Sequence, residues 1–192
     1  MPRFRALVLA DDPGLRMRPL TGSVPKALLP IAGQPLVGLA LTALAQAGCE
    51  AALVRVGPLG GSIEDRFGAE LDGMELHYWA APEFAARPTE SSDPGAESLG
   101  AEGAARGPLS QLAEFLHGAE VAALVPANRA CRWPIQRLLK RHVTRGAAAT
   151  LLVGRDQPRA PATTWVELQK KGWVSELRGR SAAHSESGGE LR

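Results

Sequence analysis

The sequence has few of the residues that build disulfide frameworks and transition-metal sites. Among 192 residues there are two cysteines and four histidines. Cys49 and Cys131 are too few for a disulfide framework and lack metal-ligand spacing, so we expect two inert, buried thiols in a reducing compartment. The histidines show no ligand spacing either. A metal centre built from these two residue types is therefore not expected.

Long apolar runs and an excess of one charge are also missing. No run approaches the roughly 20 apolar residues that cross a membrane. Asp11 and Asp12 break the N-terminal run before it is long enough for a signal peptide. The 22 basic and 20 acidic residues give a net charge of +2, which provides no general attraction to nucleic acid or to an anionic membrane. We expect a cytoplasmic protein with neither kind of partner.

The sequence does contain enough apolar residues, 45%, for one substantial core. Short apolar or alternating runs predict strands at residues 6–10, 51–56, 74–79, 121–125 and 147–153, and a hairpin around Gly172. Sequence signals for the start and end of helices predict helices at residues 35–48, at 62–68 with Ser62 as the N-cap, and at 109–116. This alternation predicts an α/β domain with a parallel sheet and right-handed crossovers.

We expect one domain over residues 1–180. Within it, residues 80–97 carry three prolines with Ser, Asp and Gly, which predicts a mobile loop insertion. Residues 181–192 are mainly Ser, Gly and charged residues, which predicts a disordered tail.

The segment at residues 6–35 has the composition of a phosphate-binding loop. A buried strand leads into a loop that contains Gly14, Arg16 and Arg18, and Pro25 and Lys26 follow. Backbone N–H groups in such a turn can point at an anion, while arginine and lysine supply charge. Neither G-x-x-x-x-G-K-[ST] nor G-x-G-x-x-G occurs here, so the two standard phosphate motifs do not apply.

The same segment resembles the sugar-phosphate nucleotidylyltransferases, or NDP-sugar pyrophosphorylases, which read L-A-A-G-x-G-T-R-L-x-P-L-T and then P-K-x-L-x-P. The matching residues are Leu9, Ala10, Gly14, Arg16, Pro19, Leu20, Thr21, Pro25, Lys26, Leu28 and Pro30. Asp11 replaces the second Ala, Asp12 the first Gly, and Leu15 the hydroxyl residue. The resemblance implies a Rossmann-like three-layer domain of nucleotidyltransferase type with a mostly parallel sheet.

Two later segments continue the resemblance. Residues 56–68 keep the V-G…I…F-G frame of the family, and residues 98–106 resemble its P-L-G-T-A-G-A-L-[KR] motif. The implied nucleotide-binding residues are Leu9, Ala10, Gly14, Arg16, Lys26, Gly100 and Gly103. In an active enzyme, Arg16 would hold the polyphosphate and Lys26 the α-phosphate, while the two later glycines would approach the base.

The family's metal-binding motif is altered. Relatives carry N-G-D after the fourth strand, whereas this chain reads Pro126-Ala127-Asn128, which places Asn128 at the metal position. Because Mg²⁺ is usually held by carboxylates and phosphates, this change removes the anionic ligand. Asp11 and Asp12 would repel a polyphosphate unless a metal intervened. Whether these aspartates bind a metal stays open, and Mg²⁺ is expected only if the protein is active.

Two functions are compatible with the sequence. One is an active nucleotidylyltransferase, in which a sugar 1-phosphate attacks the α-phosphorus of a nucleoside triphosphate and releases pyrophosphate. The other is a degenerate domain that serves as a non-catalytic binding, regulatory or scaffold subunit, with a protein partner or as a homo-oligomer. The altered loop and metal position, Gly179-Arg180-Ser181 in place of E-K-P, and the missing sugar-binding part favour the second.

Overall fold

The computed structural model describes residues 2–80, 108–131, 133–153, 164–168 and 172–179. Contacts divide the chain into two units, Met1–Ala148 and Ala149–Arg192. The predicted loop insertion and tail lie almost entirely outside the described residues, so those boundaries stay predictions.

The elements follow one another in α/β order. The strands are β1 (Phe4–Ala10), β2 (Pro30–Ile31), β3 (Gln34–Pro35), β4 (Ala51–Val56), β5 (Glu70–Leu71), β6 (Met74–Ala80), β7 (Val121–Pro126), β8 (Thr164–Leu168) and β9 (Val174–Gly179). The α-helices are α1 (Leu36–Gln46), α2 (Gly61–Phe67), α3 (Pro108–Leu116) and α4 (Ile135–Arg145). Short 3-10 turns cover Leu15–Met17, Leu20–Gly22 and Lys26–Leu28.

The sheet of the first unit has five strands in the order β5-β6-β4-β1-β7. β1 pairs in parallel with both β4 and β7, so that Val8 lies opposite Val54 on one side and Val125 on the other. β6 continues the parallel pairing beside β4, and only the two-residue edge strand β5 is antiparallel. The predicted mostly parallel sheet is confirmed.

Side chains of β1 alternate between the two faces of this sheet. The inner face joins the main apolar cluster, which includes Phe4, Ala6, Val8 and Ala10 of β1, Val37, Leu41 and Leu44 of α1, and Ile135 and Leu139 of α4. Full burial of side chains such as Leu or Val stabilises a fold by about 1.5–3 kcal/mol each. The alternating strand and the Leu- and Ala-rich helix thus account for the main core.

The opposite face of the sheet carries α3. The Arg5 guanidinium of β1 donates to the backbone carbonyl of Phe115 and lies 5.8 Å from the centre of its ring. His77 of β6 meets the same ring edge-on at 5.7 Å. Helices on both faces of the sheet make the three-layer arrangement that the resemblance implies.

Three sequence predictions are wrong in the structure. Residues 147–153 form no strand, and Leu151, Leu152 and Val153 are exposed. An apolar run becomes a strand only when another backbone pairs with it, and none of the described strands pairs with this run. Ser62 does not cap α2, because Gly60 is already helical (φ −61, ψ −35) and the helix starts at Gly61. Cys131 is exposed rather than buried.

Cys49 is buried as expected. Burial raises the pKa of its thiol to about 12, so the thiol stays protonated and unreactive at neutral pH.

Two hairpins were not predicted. β2 and β3 are joined by Ala32 and Gly33, with φ values of 50 and 81, and β5 and β6 are joined by Asp72 and Gly73 with the same pair of values. Two consecutive residues with positive φ are typical of tight hairpin turns, and the Asp-Gly pair was a usable signal. In the second unit, β8 and β9 pair antiparallel, which confirms the hairpin predicted around Gly172.

Within the part of the chain that the structure describes, no helix combines the length and the apolar character needed to cross a membrane.

Candidate functional site

The candidate site lies where the order in which the chain adds strands to the sheet reverses. From β1 the chain continues to β4 on one side and returns later to β7 on the other. The segments after β1 and β7 therefore meet, and the Ala127 N–H donates to the Leu9 carbonyl at 2.9 Å. Ligands of open parallel sheets bind outside the carboxyl ends of the strands at such a switch point.

Gly14 and Thr21 fix the backbone of the loop after β1. Gly14 has a φ of +61, and its carbonyl accepts hydrogen bonds from the buried Thr21 hydroxyl at 2.9 Å and from the Met17 N–H at 2.8 Å. A Cβ on Gly14 would lie 2.8 Å from Thr21 Cγ2 and 3.1 Å from Lys26 Cβ. The glycine and threonine of the motif are thus required by the close packing of the loop.

Asp12 is the centre of the hydrogen-bond network in this loop. Its Oδ2 lies 2.6 Å from Lys26 Nζ and accepts a longer bond, 3.4 Å, from Asn128 Nδ2. Its Oδ1 accepts the Gly14 N–H at 2.8 Å. Partial burial acts to raise the pKa of Asp12, but the bonds from Lys26, Gly14 and Asn128 outweigh it and hold the pKa below its ordinary value. Asp12 is therefore a firmly ionised acceptor.

Asp11 has a different cationic partner. Its Oδ2 lies 3.3 Å from Arg55 Nε, and the Arg55 guanidinium is placed 5.8 Å from the centre of the Trp79 ring. Gly57, the residue after β4, allows its backbone to lie close to that of Asp11, because a Cβ at Gly57 would be 3.1 Å from the Asp11 carbonyl oxygen. Each of the two loop carboxylates thus lies beside its own cation, Asp12 beside Lys26 and Asp11 beside Arg55; the expected repulsion of a polyphosphate stays a prediction.

The side chains around position 128 do not fit a Mg²⁺ ion as they are arranged. Both oxygens of Asp12 already accept from N–H donors, and Asn128 presents its amide nitrogen to Asp12. Magnesium takes oxygen ligands, usually from one or two carboxylates and from substrate phosphates, and an amide nitrogen is not such a ligand. Among the described residues, no group of three or more His, Cys, Asp or Glu side chains could hold a metal ion.

An open depression of about 540 Å³ lies over this network. It is lined by Asp12, Pro13, Gly14, Leu15, Arg16, Met17 and Lys26. The predicted residues Gly14, Arg16 and Lys26 come together here, and Leu9 and Ala10 end the strand that leads into the loop. Gly100 and Gly103 lie outside the described residues, so their predicted contact with a base stays a prediction.

Sequence reasoning missed Arg55 and the role of Asn128 as a donor. Arg55 is the one charged residue in the otherwise apolar strand β4, which was a usable signal for a polar partner. Its pairing with Asp11 was not readable, because the two residues meet only through the parallel register of β1 and β4.

Comparison with known proteins places these features in a family. The family model described as Nucleotidyl transferase matches residues 5–165. An N-acetylmuramate alpha-1-phosphate uridylyltransferase of Neisseria meningitidis is 47% identical over 80 residues, which cover 41% of this chain and 35% of that protein. The catalytic subunit beta of a Drosophila pseudoobscura mannose-1-phosphate guanylyltransferase is 29% identical over 152 residues, covering 78% of this chain and 36% of that protein.

A solved structure agrees with the fold. A Bacillus anthracis protein assigned as a glucose-1-phosphate thymidylyltransferase superposes with a TM-score of 0.62 at 14% identity, covering 93% of this chain and 65% of that one. At this identity the likeness concerns the fold alone. The chain spans about a third of the length of the two curated relatives above.

Replacing Gly14 by alanine should destabilise the fold. Alanine in a left-handed backbone is strained by about 1–2 kcal/mol, and its Cβ would press against Thr21. We expect the free energy of unfolding, from urea titration followed by circular dichroism, to fall by at least about 2 kcal/mol.

Two glycines serve as matched controls. Gly22→Ala adds a Cβ with nothing within 4 Å and should cost less than about 0.5 kcal/mol. Gly33→Ala has a φ of +81 and open space, so it isolates the backbone strain from the contact. Equal losses for Gly14→Ala and Gly22→Ala would contradict the prediction.

The stabilisation from Asp12 should depend on pH. Because its pKa in the folded state is below the ordinary value of 3.8, the contribution is fully present above that value and is lost as pH falls through the folded-state pKa. Urea midpoints of the wild type and Asp12→Asn should differ by a constant amount above about pH 5 and should draw together only as the pH falls further below 3.8. A difference that widens on acidification would refute this assignment.

Proposed function

Because the chain belongs to the nucleotidyl transferase family, we propose that its loop from Asp12 to Lys26 binds the phosphates of a nucleoside triphosphate or nucleotide sugar. We further propose that the chain has little or no transferase activity. It then acts as a binding, regulatory or scaffold subunit of a family assembly. The observation that carries this proposal is the 2.6 Å ion pair between Lys26 and Asp12.

Phosphate binding is supported by what the loop retains. Gly14 keeps the turn, and the exposed Arg16 and the half-buried Lys26 both line the depression. Arginine suits the forked recognition of phosphate oxygens, while lysine acts as a point charge. The relative with 47% identity is named as a uridylyltransferase, which makes UTP the first nucleotide to test, with GTP second because of the guanylyltransferase relatives.

Weak catalysis follows from the same centre. Phosphoryl and nucleotidyl transfer depend on preorganised positive charge at the reacting phosphate. In this chain Lys26 faces a carboxylate, and Asn128 contributes an amide where relatives have a metal-binding Asp. Lys26 therefore offers less positive charge to a transition state, and the amide of Asn128 lacks the anionic oxygen that would hold a Mg²⁺ ion there.

A subunit role is supported by exposed apolar side chains within the loop itself, two of which, Leu15 and Met17, line the depression. Leu15 is 61% exposed, Leu20 is 64% exposed, and Met17 lies between them in sequence with 39% exposed. Neighbouring apolar side chains on a surface are typical of protein contacts. A partner subunit or a second copy that covers the loop would bury them.

Activity is tested by pyrophosphate release. With Mg²⁺, UTP or GTP, and N-acetylmuramate 1-phosphate or mannose 1-phosphate, we expect no release above the protein-free blank. In parallel calorimetry, wild type should bind UTP and Lys26→Ala should bind it about tenfold more weakly, because a charged hydrogen bond is lost. The control Lys140→Ala removes one positive charge from the exposed side of α4 and should bind like wild type.

The outcomes separate the two functions. Robust turnover that Lys26→Ala abolishes would establish an active enzyme and overturn the low-activity proposal. Equal UTP affinity in wild type and Lys26→Ala would remove the loop as the phosphate site.

The subunit role predicts assembly. Light scattering after size-exclusion chromatography of protein purified from its native source should give a mass above that of the 20.2 kDa chain. Leu15→Glu, which places a charge on the exposed apolar surface, should reduce that mass, whereas Val143→Glu on the exposed part of α4 should not. A strict monomer under these conditions would contradict the subunit role.

A further inference from the structure

We propose that the Asp12 carboxylate acts as an internal anion that occupies the phosphate-binding groups of the loop, so that a phosphate ligand must displace it from Lys26. The inference rests on the loop being the phosphate site proposed above. It adds that the affinity of this site is set by competition between Asp12 and the ligand.

The first argument is the convergence of donors on one carboxylate. The Lys26 ammonium, the Gly14 N–H and the Asn128 amide all donate to Asp12. A lysine and a backbone N–H in a glycine turn are also groups that bind phosphate oxygens in other proteins. Asp12 thus satisfies with its own oxygens the donors that a phosphate would need.

The second argument is the burial of the ion pair. The Lys26 side chain is only 16% exposed and that of Asp12 34%, so solvent screens the pair less than a fully exposed one. A phosphate that binds Lys26 must either break the 2.6 Å contact or approach a carboxylate at close range. Both alternatives weaken binding relative to a loop without this charge.

An ordinary structural role for Asp12 gives a different expectation. The bond from the Gly14 N–H to Asp12 is a local turn contact, which many Asp residues make without affecting a ligand. If the side chain served only the turn, its charge would not influence the affinity of Lys26 for phosphate. Asparagine preserves the shape of the turn and an acceptor oxygen, so Asp12→Asn separates the two roles.

Asp11 provides a matched control within the same loop. It carries the same charge at the adjacent position, but its partner is Arg55 rather than Lys26. Asp11→Asn and Asp12→Asn therefore change the net charge of the loop equally. They differ in whether Lys26 loses its carboxylate.

The experiment is calorimetric titration of the full chain with inorganic pyrophosphate and with UTP, with and without Mg²⁺. Asp12→Asn should tighten pyrophosphate binding about tenfold, whereas Asp11→Asn should change it by no more than about threefold through general charge. The gain should disappear in the double variant Asp12→Asn/Lys26→Ala, because the gain acts through Lys26. Asp12→Gly should reproduce the gain.

Several outcomes would overturn the inference. If Asp11→Asn and Asp12→Asn tighten pyrophosphate binding equally, the effect comes from the general charge of the loop and not from competition for Lys26. Weaker binding in Asp12→Asn that appears only with Mg²⁺ would make Asp12 a metal ligand. If Lys26→Ala weakens binding but Asp12→Asn leaves the affinity unchanged, the competition alone is refuted. If Lys26→Ala does not weaken binding, the proposed phosphate site is refuted as well.

A measurement on the wild type keeps the test independent of variant folding. In protein labelled with carbon-13 at aspartate, saturation with pyrophosphate should shift the Asp12 carboxyl resonance as Lys26 leaves it. The Asp11 resonance, which reports the pair with Arg55, should move less. An Asp12 resonance that stays in place while pyrophosphate binds would contradict displacement.

Discussion

The loop after β1 depends on the ion pair between Lys26 and Asp12. The pair holds the start of the loop against the turn at Lys26–Leu28, and the Asp12 carboxylate also fixes the Gly14 N–H and meets Asn128 beyond β7. Through these contacts one carboxylate connects the ends of two neighbouring parallel strands. Lys26, the cation that the motif supplies to the loop, therefore already faces a carboxylate.

Much of the sheet could be predicted from the sequence because its signals are local. The β4 strand begins and ends where its apolar run does, and α1 lies between a proline and a glycine that punctuate it. The run at residues 147–153 shows the limit of this reasoning. Its composition is that of a buried strand, but pairing is decided by the rest of the chain, and the run remains exposed.

The candidate site was predictable in its residues but not in its electrostatics. The motif located Gly14, Arg16 and Lys26, and the structure places them around one depression. The partners of Asp11 and Asp12 are set by strand register and by a close contact between loops, which no sequence pattern encodes. The two carboxylates that were expected to oppose a polyphosphate therefore belong to separate ion pairs, and only Asp12 faces the lysine that the motif supplies.

The contact between Asn128 and Asp12 makes these two positions interdependent. With Asp12 in place, an aspartate at position 128 would bring a second carboxylate to the location where the amide nitrogen now lies 3.4 Å from Oδ2, and two like charges would face each other. Neighbouring positions of this kind do not contribute additively. A screen that changes one residue at a time would therefore score the aspartate at position 128 as harmful, although the same change could be tolerated once Asp12 is replaced.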